Sequence, residues 1–157
     1  VSKASATAIF DRTKAAIQPF DAATLLAMGD APLVAAGQSR AKQATLTGLA
    51  RAIVDHDLDL ESLCDVPVEE AMRHLTALHG IGPWSAEVFL LFCAGHTDIF
   101  PAGDVALQHA TAMVCSLADK PDTVTTRKLA ERWSPLRGIA ARILYAHYAR
   151  IRGRSAV

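Results

Sequence analysis

A short stretch in the middle of the chain holds residues that can act on an anion. Gly80 and Gly82 bracket Ile81, Pro83 and Trp84 follow at once, and a single aspartate, Asp104, closes Pro101-Ala102-Gly103-Asp104 about one helix later. The glycines allow a tight turn and close approach of the backbone to a ligand. Pro83 suits the first turn of a helix, where its missing N–H is not needed. Such a turn presents free N–H groups near Gly80, Gly82 and Trp84 at a helix N-terminus, a natural seat for a nucleic-acid phosphate. The carbonyls of Thr76, Leu78 and Ile81, at the end of the preceding helix, can hold a monovalent cation, sodium or potassium, against that phosphate. The bland alternative is a hairpin that only turns the chain. The composite Leu75-x-x-Leu78-x-Gly80-Ile81-Gly82-Pro83-Trp84-Ser85-Ala86 is fuller than a lone Gly-x-Gly and favours the clamp.

Asp104 has two compatible roles. It fits as the cap of a helix starting at Val105, and a carboxylate at a helix start can also face a reaction centre. Trp84 either packs in the core or stacks on an extruded base beside the phosphate. It carries no amine, so no Schiff base forms at this position. Trp133, Tyr145 and Tyr148 pack the core or line a pocket wall, with core the preferred reading for Trp133 and Tyr148. His79 is a surface residue or a phosphate donor. Arg137 and Arg142 either reach a nucleic acid or are solvated.

These residues need a scaffold, and the sequence supplies helices. The readings are Ser2 to Ile17, stopped by Pro19; Asp21 as cap of a short helix to Met28, closed by Gly29; and Asp30 to Ala36, ended by Gly37. Ser39 caps a stretch to Asp55 with Leu46, Leu49, Ile53 and Val54 at helical spacing. One turn covers Leu60 to Cys64. The hairpin spans 68–94, as Val68 to His79 and then Pro83 to Ala94, and the loop 95–104 leads to Asp104. Val105 to Leu117 follows, then a helix from Thr125 or Thr126 to Trp133. Pro135 opens the last, with Ile139, Ile143, Leu144, Tyr148 and Ile151 facing inward. No stretch alternates with period two, so the fold class is all-α, a multi-helix array. No domain boundary is marked by composition, and 1–157 is read as one core.

The 157 residues suit one domain or two small lobes, and with 51% hydrophobic residues a sizeable core forms without staples. The formal net charge of zero argues against a tight non-specific polyanion binder. Charge is uneven, however: from Arg127 onward Arg127, Lys128, Arg132, Arg137, Arg142, Arg150, Arg152 and Arg154 face one acid, Glu131, while acids gather between Asp55 and Glu70. Cys64, Cys93 and Cys115 are odd in number and far apart, so they form no disulfide framework. Cys93-x-x-His96 is the only metal-like spacing and lacks a second pair. All three cysteines are expected as buried small hydrophobes in a reducing compartment. No run is long and apolar enough to span a membrane and no signal peptide is visible, so the cytosol is the default location, nucleoid-associated in a bacterium.

At this point the chain resembles the helix–hairpin–helix DNA glycosylases with a Gly/Pro-rich loop and following aspartate, and within them the DNA-3-methyladenine glycosylase II branch. Leu75 to Ala86 and Asp98-Ile99-Phe100-Pro101-Ala102-Gly103-Asp104 carry the resemblance. Gly37-Gln38-Ser39-Arg40-Ala41-Lys42 is similar to the family's G-x-S-x-x-K helix start, and Arg132-Trp133-Ser134-Pro135-Leu136-Arg137 to its R-W-x-P-x-R stretch. The resemblance implies a two-lobed fold with a cleft, damaged double-stranded DNA as partner, a monomer, and Asp104 as the catalytic aspartate that stabilises the sugar cation. Trp84 stands where the bifunctional glycosylase/lyases carry lysine, which implies a monofunctional enzyme leaving an abasic site. The missing cysteine cluster argues against an iron–sulfur member, and no cofactor is required. The family's glutamine-rich wedge would lie just before Val1-Ser2, so the chain is expected to be an N-terminally truncated fragment that flips bases poorly by itself. Leu136 stands where one branch has a pocket tryptophan, so the base range is not carried over. The alternatives are a glycosylase for uracil or mismatched thymine, a non-catalytic hairpin module that binds the DNA backbone, and a purely structural helical domain.

Overall fold

In the computed structural model, residues 3–153 are described, and among them every regular element is helical. The expectations placed on Val1, Ser2 and Arg154 fall outside the described residues. The chain forms two compact units: residues 3–62 with 74–81, and residues 63–73 with 82–153.

The first unit begins with α1 (Lys3–Ala16), α2 (Ala22–Met28), α3 (Ala31–Ala36) and α4 (Arg40–Val54). Short polar side chains set the starts. Asp21 accepts from the Thr24 N–H at 2.7 Å, and Ser39 accepts from the Lys42 N–H at 3.4 Å. Gly37 ends α3 in the left-handed region (φ 87°) and returns its N–H to Leu33 and Val34. Ile17, Leu25, Leu33 and Ala50 form the core, with Ala22, Leu26 and Leu46 against it. Arg12 ties α1 to the end of α3, its Nε donating to the Ala36 carbonyl at 3.0 Å. The α4 face differs from expectation: Ala50 and Ala52 are buried while Val54 is exposed.

Leu63 and Cys64 end a 3-10 turn that begins at Ser62, and α5 (Val68–Thr76) follows. This helix stops a turn before the expected His79. Leu78 bonds back to Leu75 and Ile81 to Leu78, so the chain unwinds into tight turns before Gly80. Gly80 adopts φ +83°, and an added Cβ would lie 1.9 Å from Thr45 Oγ1, so this turn within the first unit excludes any side chain.

The second unit contains α6 (Pro83–Phe92), α7 (Val105–Val114), α8 (Thr123–Ala130), a 3-10 turn Glu131–Trp133 and α9 (Arg137–Ile151). Leu90, Leu91, Leu107, Ala110, Ala141 and Leu144 are buried in it. The start of α8 moves forward because Asp122, missed in the sequence, caps it through the Thr125 N–H at 2.7 Å. The inward face of α9 is corrected as well. Gly138, Ala141 and Leu144 are buried, whereas Ile139, Ile143 and Ile151 are exposed. Gly138 explains this: its N–H donates to the Thr97 carbonyl at 2.7 Å, and a Cβ there would meet the His96 carbonyl oxygen at 2.7 Å. The smallest residue, not the most apolar, marks the packed side.

Candidate active site

Asp104 is built from the loop upward. Phe100 and Ala102 close one turn by a 2.7 Å hydrogen bond, and the Asp104 N–H returns to Pro101 at 2.9 Å. Buried Gln108, one turn into α7, donates to the Ala102 carbonyl at 3.0 Å and so pins the turn from below. At the loop's other end, Asp98 accepts from Arg137 Nε at 2.6 Å, Arg137 Nη2 at 2.8 Å, the Arg137 N–H at 3.1 Å and Ser134 Oγ at 3.1 Å. His96 is bonded through Nε2 to the Leu63 carbonyl at 2.8 Å. The loop 95–104 is therefore anchored along its length.

Asp104 does cap α7. Its Oδ1 accepts from the N–H groups of Ala106 at 2.8 Å and Leu107 at 3.3 Å. The second oxygen is aimed elsewhere: Oδ2 accepts from the indole Nε1–H of Trp84 at 2.9 Å. Burial first, and then the negative charges of Asp104 and Glu87, push the Tyr145 phenol well above its ordinary range. Its ring leans on Phe92, centroids 5.6 Å apart, and the Arg142 guanidinium lies 5.1 Å over that Phe92 ring.

Trp84 is not a core residue. It is 51% exposed, and its indole N–H is held by Asp104. Gly82 caps α6 with φ −86° and offers no side chain to the first N–H groups of the helix. Nothing lies within 4 Å of a Cβ built on Gly82. Thr76, Leu78, Gly80 and Ile81 belong to the first unit, where the Leu78 carbonyl accepts from the Ile81 N–H at 3.1 Å.

Several expectations are corrected here. Arg137 and Arg142 both have partners within the protein: Arg137 clamps Asp98, and Arg142, which stays exposed, donates to the Leu91 carbonyl. Cys64 and Cys93 are exposed and Cys115 is half-buried, because Leu63 and Ala94 take the buried positions beside the first two. Trp133 and Tyr148 are half-buried rather than core. Trp133 stacks on buried Phe100 at 5.6 Å, and Tyr148 stacks on His109 at 5.8 Å. His79 and Leu136 are exposed. Sequence reasoning missed Glu87, buried on α6 and paired with Arg127 at 3.2 Å, whose carboxyl is pushed up by desolvation and drawn back by that arginine. Among the described residues no cluster of three or more His, Cys, Asp or Glu side chains forms a metal site. Among them, too, no helix is long and apolar enough to cross a membrane.

Known proteins resemble this chain. The chain is 31% identical over 96 residues to a putative DNA-3-methyladenine glycosylase, YfjP, of Bacillus subtilis, covering 61% of this chain and 33% of that protein. It is 35% identical over 106 residues to a probable bifunctional transcriptional activator/DNA repair enzyme, AlkA, of Mycobacterium tuberculosis, covering 68% of this chain and 20% of that protein. The chain thus spans a third or less of the length of these relatives. A Schizosaccharomyces pombe 3-methyladenine DNA glycosylase, Mag1, solved in complex with abasic DNA, superposes with a TM-score of 0.84 at 26% identity, over 93% of this chain and 73% of that one. The family model of the HhH-GPD superfamily base excision DNA repair proteins matches residues 1–135, hairpin and Asp104 included, and the chain belongs to that superfamily.

Proposed function

We propose that this chain is the core of a monofunctional DNA glycosylase that hydrolyses the N-glycosidic bond of alkylated, 3-methyladenine-type purines flipped out of duplex DNA. The observation that carries the proposal is the Asp104 carboxylate, fixed at the start of α7 beside the exposed indole of Trp84. A flipped alkylpurine stacks on that indole, and its sugar lies toward the carboxylate. When the bond breaks, its electron pair leaves with the cationic base, which departs neutral. Asp104 stabilises the positive charge left on the sugar, and water adds to give an abasic site. Position 84 offers no amine, so no strand-cleaving Schiff base follows.

The uncapped start of α6 takes a DNA phosphate on the N–H groups beside Gly82 and Trp84. Gly82 supports this. Its φ suits any residue and nothing in the protein lies within 4 Å of a Cβ built there, so the bare Gly82 leaves the first N–H groups of α6 open to a phosphate. Gly80 shapes the same turn, and the carbonyls of Thr76, Leu78 and Ile81 hold a sodium or potassium ion against the phosphate. No iron–sulfur cluster or other resident cofactor enters the reaction. The protein acts as a monomer on damaged double-stranded DNA in the cytoplasm, at the nucleoid in a bacterium. The alternatives are excision of uracil or mismatched thymine and a non-catalytic backbone-binding module.

The test compares the intact protein with its Asp104→Asn variant on a duplex carrying one methylated purine. Excision by the native protein, a loss of about 100-fold or more in the variant, and unchanged duplex binding support the proposal. A variant that cuts at the native rate contradicts it.

A further inference from the structure

Asp98 and Asp104 stand six positions apart in one loop, and they are held by opposite chemistry. Asp98 is bound by a guanidinium, which neutralises it. Among the described residues no cation pairs with Asp104; its donors are two backbone N–H groups and an indole N–H, all neutral. The backbone pair fixes Oδ1 as part of the helix cap. The Trp84 indole, reaching from α6, fixes the rotation of the carboxylate about its own axis, which the cap alone leaves free.

This donor cannot be lost to solution chemistry, since an indole N–H does not titrate. Trp84 is braced by its place in the first turn of α6. A charged donor at this point would cancel the negative charge that the reaction needs opposite the sugar cation. Neutral donors orient the charge and leave it available.

We propose that Trp84 is a positioning residue for Asp104, its indole N–H holding the carboxylate toward the reacting sugar without neutralising it. This inference rests on the glycosylase reading. It gives Trp84 two separable functions, with its face for the flipped base and its edge for the carboxylate.

Phenylalanine separates them. Trp84→Phe keeps an aromatic face and loses the donor. Single-turnover excision of a methylpurine duplex by the intact protein is measured for the native protein, Trp84→Phe, Asp104→Asn and the double variant. Affinity for an abasic duplex and Tm are measured beside it. Trp84→Phe is expected to slow excision about 10- to 100-fold, the cost met when a hydrogen bond that orients a functional ligand is removed, with affinity and Tm unchanged. In the slow Asp104→Asn background the same change costs nothing more, because its effect passes through the missing carboxylate. A native rate in Trp84→Phe, while Asp104→Asn is slowed about 100-fold or more, overturns the inference and leaves the glycosylase reading standing. A rate loss matched by a loss in Tm or affinity overturns it too, reducing Trp84 to packing. A native protein that excises nothing removes the glycosylase reading and this inference with it.

Discussion

The two aspartates of the loop 95–104 have the same side chain and different work. Asp98 meets four donors on two residues, and the Arg137 guanidinium beside it pulls its carboxyl down to about 2. Its charge is spent inside the protein, joining the loop to the start of α9. Asp104 is braced by neutral groups, and its charge stays unspent. A carboxylate that is fixed in place and uncompensated is one available for chemistry. A carboxylate that is fixed and neutralised is a rivet. The helix caps Asp21 and Asp122 form a third case. Each is exposed and drawn down by the N–H groups it caps, Thr24 and Thr125 respectively.

Exchanging carboxylates for amides breaks the comparison most sharply. Asp98→Asn leaves Arg137 without its counter-charge and is expected to destabilise by about 1–3 kcal/mol, read as a Tm drop of roughly 3–8 °C. Asp104→Asn keeps a competent helix cap and is expected to leave Tm nearly unchanged while excision is lost. If Asp98→Asn were silent in Tm and Asp104→Asn were not, the division of labour would be reversed.

Next in size is the close approach of α9 to the loop. Gly138→Ala places a methyl 2.7 Å from the His96 carbonyl oxygen, a backbone atom that cannot swing aside. It is expected to cost about 1–3 kcal/mol, measured by urea unfolding. Ile143→Ala on the same helix is expected to cost almost nothing, since Ile143 is exposed.

Acid titration sharpens the point with a smaller effect. The folded-state carboxyl of Asp98 is depressed below its ordinary 3.8 to about 2. Its contribution is therefore fully present above about pH 4 and is lost as pH falls toward 2. The loss is about 1–2 kcal/mol after allowance for solvent screening. Unfolding measured between pH 5 and pH 2 should show that slope in the native protein and a shallower one in Asp98→Asn.

The hairpin glycines give the finest contrast. Gly80→Ala combines a left-handed φ with a collision against Thr45, and is expected to lower stability by about 1–3 kcal/mol. Gly82→Ala meets no neighbour and is expected to leave stability unchanged. It should weaken duplex binding and flatten its salt dependence, as one phosphate contact is crowded out. Unaltered affinity across a salt series would place the phosphate elsewhere.

Local signals made much of this legible in the sequence. Gly29, Gly37, Ser39, Asp21 and the Gly82-Pro83 pair announce helix ends by backbone chemistry, and the structure puts ends there. Asp104 as a cap was legible for the same reason. Contacts across the chain were not. Nothing local to Trp84 says that its N–H will find a carboxylate 20 residues away, or to Asp98 that its partner lies 39 residues on. Arg137 looked like surface charge because a sequence shows the charge and not what it closes on. The isoleucines of α9 pointed to the wrong face because hydrophobicity outranks size in a periodic reading. Where an N–H must reach a carbonyl 2.7 Å away, size decides.

The central claim, hydrolytic removal of an alkylated purine, is tested most directly by gel-resolved excision with the intact protein. Duplexes carrying a methylated purine, hypoxanthine, ethenoadenine or uracil are each incubated and then split into samples with and without alkali. The account expects strand cleavage on alkylated purines that appears only after alkali, the mark of an abasic product made without a Schiff base. Cleavage without alkali, or duplex bound with every base left in place, would contradict it.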